Sequence, residues 1–391
     1  MKILLISLNL IGQGTFWRAF QLGQHLSRRG NNVTLMATSR YQKVGIKEQT
    51  HRGITLIDTP DLFSGSLRSG WDPWNTLNRI NWIHRRKFDL VHAFESRPTV
   101  LFPALYMAYI QHTPLVMDWA DWFGRGGSVE ERPNPIVRTI LRPVETFFEE
   151  RFRTRANGTT VICSTLWEKA LALGVPKDKL LMLPNGSDTE RLQNISKDDA
   201  RERVHLPKDA FILGYIGSIF PRDAHFMTRA FDLVCEQIPN ALLLSIGRQK
   251  MNLKEISDHP GSIHQSGFID SKYLNDYMAS CDVFWLPLSD TKANQGRFPL
   301  KINDYMAVGR PIIATAVGDI PSFYDNVQIG LLSPAEEEEF ANQTISLYKD
   351  QNMQEYMGKH ARLLAETRYN WNILAQKLEN FYRDIICHIV S

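Results

Sequence analysis

Apolar residues in this chain fall into short runs of strand length, separated by longer stretches with helical spacing. The first run, residues 2–8, leads through Gly12 and Gly14 into a helix-like stretch at 16–29, and a second run follows at 33–37. The order strand, glycine loop, helix, strand opens a doubly wound α/β domain. Further runs at 53–57, 90–93, 115–117 and 159–163 alternate with helical or polar segments, which predicts a parallel sheet. A second series starts at 180–183 and passes into Pro184-Asn185-Gly186, a turn sequence. It continues at 211–216, 241–246, 283–286 and 312–315, with a helix expected over 224–237. A chain of 391 residues exceeds one ordinary core, so two domains are expected, dividing near 183–188.

The stretch from Gly296 to Gly318 concentrates candidate chemistry. Pro299 suits a first helical position, Gly309 the left-handed residue past the helix end, and Pro311 forbids continuation. Lys301 and Asp304 are three apart and share a helix face. The first-turn amides, the helix dipole and Lys301 together suit an anion such as a phosphate, and Asp304 can accept hydrogen bonds from hydroxyls. A solvated surface helix is the competing reading. Two other strands end in glycine and a cation: Gly217-Ser218 with Arg222, and Gly247-Arg248. In the first series Glu95, Arg97, Asp118, Asp121 and Trp122 each follow a strand, where parallel sheets bind ligands; capping and ion pairing compete with that role. Trp17 interrupts the dinucleotide fingerprint begun by Gly12 and Gly14, and no acid ends the run at 33–37, which argues against a nicotinamide site. Ser333, Pro334 and Glu336 form a capping-box pattern at the start of a helix.

Composition narrows the class. The formal net charge of +3 gives no case for a nucleic-acid partner. Cys163, Cys235, Cys281 and Cys387 are scattered, and read as buried thiols rather than a disulfide framework or a metal site. The apolar run after Met1 is too brief for a secretion signal, and the low-polarity stretch at 98–110 is shorter than a membrane span of ~18 residues. A soluble, cytoplasmic protein is expected. Residues 132–155 carry six arginines, three glutamates and apolar residues at 136, 137, 140, 141, 144, 147, 148 and 152, a 3.6-residue period. Residues 65–87 add Trp71, Trp74 and Trp82 with Arg68, Arg79, Arg85, Arg86 and Lys87. Two readings stand: Arg132 to Arg155 forms an ordinary helix over the sheet, or it binds an anionic membrane surface peripherally, at the inner face of the plasma membrane.

Several segments occur in a telling order. They are Gly12 to Gly14; Cys163-Ser164-Thr165-Leu166 with Leu173-Gly174-Val175-Pro176; Leu183-Pro184-Asn185-Gly186-Ser187-Asp188; Tyr215-Ile216-Gly217-Ser218; Ser266-Gly267-Phe268; Cys281-Asp282-Val283; residues 299–315; and Tyr369-Asn370-Trp371. Over nearly its whole length the chain resembles a family 4 glycosyltransferase. The resemblance implies the GT-B fold, an α/β architecture of two Rossmann-like doubly wound domains facing across a cleft. It implies an acceptor domain over 1–183, completed by a crossover helix at 367–391, and a donor domain over 184–366. It further implies retaining, metal-independent transfer of a sugar from a nucleotide-diphosphate sugar, without another cofactor, to a glycan or lipid-linked acceptor in polysaccharide or cell-envelope glycan synthesis. A sugar-nucleotide epimerase and a non-catalytic sugar-nucleotide-binding protein of the same fold are the alternatives.

By the same resemblance Asp304 receives the ribose, and Lys301 and Arg222 hold the diphosphate. Gly14, Gly217, Ser218, Arg248, Asn294, Gly296, Arg297, Pro299 and Leu300 complete the donor site. Asp118 orients donor-sugar hydroxyls and Asp121 positions the acceptor. Three positions depart from the family pattern. Asp304 replaces a glutamate, Gly296 stands where the motif's first carboxylate belongs, and Ser218 stands where an arginine is often found. Arg222 is left to supply that charge, with Asn294 or Arg297 compensating at the sugar end.

Overall fold

The computed structural model describes residues 1–41, 43–62, 70–249, 251–324 and 328–390. It divides into two compact units, Met1–Pro184 with Trp371–Ser391, and Asn185–Asn370. Gly65 and Arg68 of the tryptophan-rich stretch lie outside the described residues.

The first unit holds β1 (Lys2–Leu10), β2 (Asn32–Thr38), β3 (Lys47–His51), β4 (Ile54–Thr59), β5 (Leu90–Phe94), β6 (Leu115–Trp119), β7 (Gly158–Val161) and β8 (Leu180–Met182). Their order is β3-β4-β2-β1-β5-β6-β7-β8, and every pairing is parallel except β3 with β4. Helices α1 (Phe16–Arg28), α2 (Pro73–Ile83), α3 (Pro98–Ile110), α4 (Pro135–Glu150) and α5 (Ser164–Ala172) fill the connections. Leu4, Ile6, Met36, Val91, Ala93, Leu101 and Met117 form the center of one core layer. The antiparallel β3 is new relative to the sequence reading, because KEQTH has no apolar run and lies exposed along the sheet edge.

The second unit holds α6 (Lys197–Arg203), β9 (Phe211–Ile216), α7 (Pro221–Gln237), β10 (Ala241–Ile246), β11 (Ile263–Gln265), α8 (Leu274–Ala279), β12 (Val283–Leu286), α9 (Lys292–Gln295), α10 (Leu300–Ala307), β13 (Ile312–Thr315), β14 (Gly330–Ser333), α11 (Glu337–Tyr348) and α12 (Gln351–Thr367). Its sheet is parallel, in the order β11-β10-β9-β12-β13-β14. In both units the strand order reverses beside the first strand, between β1 and β5 and between β9 and β12. The carboxyl ends of those strands are where such folds bind ligands.

The last helix, α13 (Trp371–Val390), belongs to the first unit and packs on α1. Glu379 accepts from Arg29 at 2.6 Å, Asn31 at 3.1 Å and Arg383 at 2.9 Å, and Tyr382 Oη lies 2.6 Å from His92 Nδ1.

Four local expectations need correction. Helix α10 starts at Leu300 with Pro299 as its N-cap, not its first turn. Ser333 ends β14 and makes no cap, so α11 begins at Glu337 without the capping box. Cys387 is exposed, whereas the other three thiols are buried. The amphipathic helix α4 is turned the opposite way from a helix that covers a sheet. Ile136, Ile140 and Phe147 are 69%, 60% and 51% exposed, while Glu145 and Glu149 are buried. Glu149 is held inside by Trp119 Nε1 at 3.0 Å and the amides of Phe123 and Gly124, both at 2.7 Å.

Candidate active site

In the second unit three chain segments meet beyond the carboxyl ends of β9 and β10. The first is the turn after β9, where Gly217 is left-handed (φ +79°) and donates its amide to Ile246 O at 2.8 Å. The second follows β10, where Gly247 (φ +103°) passes so close that a Cβ there would lie 3.7 Å from the Gly217 backbone. Gln249 ties the two together, donating to Gly217 O at 2.7 Å and Ser245 Oγ at 2.8 Å and accepting from the Ile219 amide at 3.2 Å. Ser218 Oγ reaches Arg248 O at 3.3 Å, and both residues are exposed.

The third segment is the start of α10. Lys301 Nζ lies 2.5 Å from Tyr215 Oη and 3.9 Å from the center of that ring, and Tyr215 Oη reaches Ser218 O at 3.1 Å. Burial pushes the Lys301 ammonium down to about 7, against the opposing charge of Asp223. That aspartate sits in the first turn of α7 and accepts from Ser289 N at 3.1 Å and Ser289 Oγ at 2.6 Å. Arg222, also in the first turn of α7, is exposed. A lysine whose charge is marginal in the free protein gains most from an anion placed against it.

The sugar-side candidates cluster separately. Arg297 donates to Asn294 Oδ1 at 2.7 Å and lies 5.2 Å over the ring of Phe220, the residue that precedes α7. Asn294 also donates to Ser289 O at 2.8 Å. Gly296 ends α9 with an ordinary φ of −84° and is buried, so its backbone would accept a side chain. Leu300 and Pro299 are half-buried at the start of α10. Asp304 lies one turn along; burial raises its carboxyl to about 6, opposed by Arg191 and reinforced by Asp188. Helix α10 is anchored by Ser187 Oγ to Asn303 O at 3.0 Å, and by Tyr305 Oη, which accepts from the Ile216 amide at 3.1 Å.

In the first unit the geometry revises one assignment. Asp118 is wholly buried at the end of β6 and takes Arg18 Nε at 3.0 Å and Nη2 at 2.9 Å. Thr160 Oγ1 donates to it at 2.5 Å. Burial alone would raise its pKa, but the charge and hydrogen bonds of Arg18, with His92 and Thr160, hold it below the ordinary carboxylate value. Arg18 also donates to Leu183 O at 2.7 Å and Pro184 O at 3.0 Å. Asp118 therefore locks α1, β6, β7 and the exit from β8 together, and does not face sugar hydroxyls as the resemblance implied. Asp121 is half-buried three residues further on. Gly14 is left-handed (φ +51°) and exposed, and a Cβ there would come within 2.6 Å of Asn9 Nδ2. Among the described residues no group of three or more His, Cys, Asp or Glu side chains is placed to hold a metal ion.

Sequence reasoning missed Arg18, Tyr215, Asp223 and Gln249. Only Tyr215 carried a signal, since it is the penultimate residue of a strand already singled out for its end. The others meet their partners through pairings that sequence spacing does not show.

Two parallel, doubly wound units define a GT-B protein. Family profiles agree: "Glycosyltransferase Family 4" matches residues 13–191 and "Glycosyl transferases group 1" matches residues 210–350. The chain belongs to the family 4 glycosyltransferases. It is 25% identical over 283 residues to the D-inositol 3-phosphate glycosyltransferase of Stackebrandtia nassauensis, a match covering 66% of this chain and 59% of that relative. It is 28% identical over 223 residues to TuaH of Bacillus subtilis, a glycosyltransferase assigned to teichuronic acid biosynthesis, covering 55% of this chain and 53% of TuaH. The matches thus span less than two-thirds of either relative. Sucrose-phosphate synthase from Thermosynechococcus elongatus superposes with a TM-score of 0.76 at 18% identity over 99% of both chains. HepE from Anabaena in complex with UDP-glucose superposes with a TM-score of 0.71 at 16% identity over 98% of this chain and 100% of HepE. These structural likenesses establish the fold.

Proposed function

We propose that this protein transfers a sugar, with retention of configuration and without a metal, from a nucleotide-diphosphate sugar to a glycan or lipid-linked acceptor. The observation that carries the reading is Lys301, stacked on Tyr215 near the left-handed Gly217 and Gly247, which follow β9 and its neighbor β10. Close backbone approach, helix starts and a responsive ammonium suit a diphosphate. Lys301, with Arg222, stabilizes the charge that develops as the bond from the anomeric carbon to phosphate oxygen breaks. The acceptor oxygen bonds to the same face of that carbon while its proton passes to the departing phosphate. Asp304 holds the ribose, and the Asn294–Arg297 pair stands on the sugar side in place of the carboxylate missing at Gly296. The named relatives support this class over an epimerase or a binding protein, and TuaH supports a cell-envelope glycan as the product. Incubation with UDP-, GDP-, ADP- and dTDP-sugars, following nucleotide release with and without acceptor, tests the reading. Release that needs acceptor supports it; interconverted sugar without acceptor supports the epimerase.

A second reading concerns where the reaction takes place. No helix among the described residues is long and apolar enough to cross a membrane. The exposed apolar face of α4 continues through Phe147 and Phe148, 5.4 Å apart, to Phe102 on α3, 5.9 Å from Phe148. On α3, Phe102, Tyr109 and Ile110 are exposed as well. Of the six arginines in this segment, Arg153 is buried, and Arg132, Arg138 and Arg142 bond Glu145 or Glu130. Arg151 and Arg155 stay exposed at its end. Arg79 of the tryptophan-rich stretch is likewise buried among Thr38, Thr59 and Thr99 and cannot face a membrane. The apolar face, more than the net charge, supports peripheral docking on anionic lipid. Flotation with phosphatidylglycerol-containing and purely zwitterionic vesicles tests it; no vesicle binding would return α4 to a purely structural role.

A further inference from the structure

Glu95, the first residue beyond β5, is left-handed (φ +79°) and only 1% exposed. The other described non-glycine residues with positive φ, Arg52, His112 and His205, are all exposed. A left-handed backbone strains a glutamate, and such strain persists chiefly where function retains it. Both carboxyl oxygens are buried, and no described residue hydrogen-bonds either of them. Burial, joined by the charges of Asp121 and Asp118, pushes the carboxyl well above its ordinary range, against the opposing charges of Arg153 and Arg97. Those guanidiniums are directed elsewhere. Arg97 forks onto Glu145 at 3.2 and 3.1 Å, and Arg153 donates to the carbonyls of Glu149 at 2.8 Å and Asp118 at 3.2 Å. Arg153 Nη2 is a second buried atom that no described residue bonds. Packing alone accounts for none of this, since an apolar residue would remove the unpaired oxygens and a glycine would remove both them and the strain.

Position says what the residue serves. In the first sheet β1 lies between β2 and β5, so the turn after β5 and the Gly12–Gly14 turn after β1 flank its switch point. Open parallel sheets bind ligands at that crevice. The geometry points to Glu95 as an acceptor-recognition residue, whose two oxygens take a hydroxyl of a polyhydroxylated molecule while Arg153 Nη2 donates to the same group. Naming that molecule the acceptor rests on the glycosyl-transfer reading above; the site itself does not. A hydroxyl both donates and accepts, and so does a neutral carboxyl. A cationic ligand would instead need an ionized Glu95, which burial and two neighboring aspartates oppose.

The test compares wild type with Glu95→Gln and Glu95→Gly by thermal melting and by calorimetric titration. The titrations use methyl α-D-glucoside, methyl α-D-mannoside and myo-inositol, with UDP, GDP, ADP and dTDP in parallel. Glu95→Gly is expected to melt above wild type, because glycine adopts this backbone without strain. At least one polyol is expected to bind wild type and to bind Glu95→Gly about tenfold more weakly, with Glu95→Gln close to wild type as a neutral isostere. Nucleotide binding should be unchanged in both variants. A lower melting point for Glu95→Gly, or a polyol panel that does not distinguish it from wild type, overturns the inference. Loss of nucleotide binding in wild type itself would overturn the glycosyl-transfer reading instead and leave the polyol result to be judged alone.

Discussion

An ammonium packed over an aromatic ring gives up solvation, and Lys301 shows the consequence in a pKa lowered to about 7 by burial. The sign of the resulting pH dependence follows directly. Below about 7 the free protein already carries the charge, so nucleotide-diphosphate affinity should be flat. Above it, binding must take up a proton, and affinity should fall by roughly tenfold per pH unit until the pKa of the complex is reached. Calorimetric titration from pH 6 to pH 9 in buffers of differing ionization enthalpy reads both the slope and the proton uptake. A flat profile would show that Lys301 does not meet the phosphate. At this scale the sequence was legible where placement depends on neighbors along the chain, as with Lys301 and Asp304, which do fall one turn apart in α10. It was illegible where the partner is remote: Asp118 looks like any carboxylate at a strand end until Arg18, one hundred residues away, is found clamped on it.

Helix α4 shows the same limit one level up. A 3.6-residue period states that a helix has two faces and says nothing about which one turns inward. Here the carboxylate of Glu149 satisfies three donors that burial would otherwise leave unpaired. Glu149→Ala should therefore cost about 3 kcal/mol or more in urea unfolding, far beyond a surface change. The combined change of Ile136, Ile140 and Phe147 to serine should leave stability within roughly 0.5 kcal/mol per site and abolish vesicle flotation if the membrane reading holds. Strand prediction worked for the buried central strands, whose apolar runs are forced by contact on both sheet faces. It missed β3, β11 and β14, at sheet edges or only partly buried, where pairing rather than hydrophobicity makes the strand.

For the whole molecule, the end of the chain is part of the first unit's stability. Hydrogen bonds from Arg383, Asn31 and Arg29 outweigh the burial that would raise Glu379, and leave it at about 2. A carboxyl depressed on folding stabilizes above its unfolded pKa of about 4.5 and ceases to do so as pH falls through about 2. Acid should accordingly loosen α13 in that window, read by the fluorescence of its buried Trp371, and Glu379→Gln should remove that pH dependence. The proposed diphosphate site lies within the second unit and uses no residue of α13, so Glu379→Gln should leave nucleotide affinity unchanged at pH 7.

The most direct test of the account is calorimetric binding of UDP, GDP, ADP and dTDP to wild type and Lys301→Met at pH 7. Charge-assisted phosphate contacts contribute ~1.5–3 kcal/mol, so at least one nucleotide should bind wild type and weaken about tenfold or more in the variant. Binding of none of them, or equal affinity in the two proteins, would contradict the assignment of a nucleotide-sugar site to the start of α10.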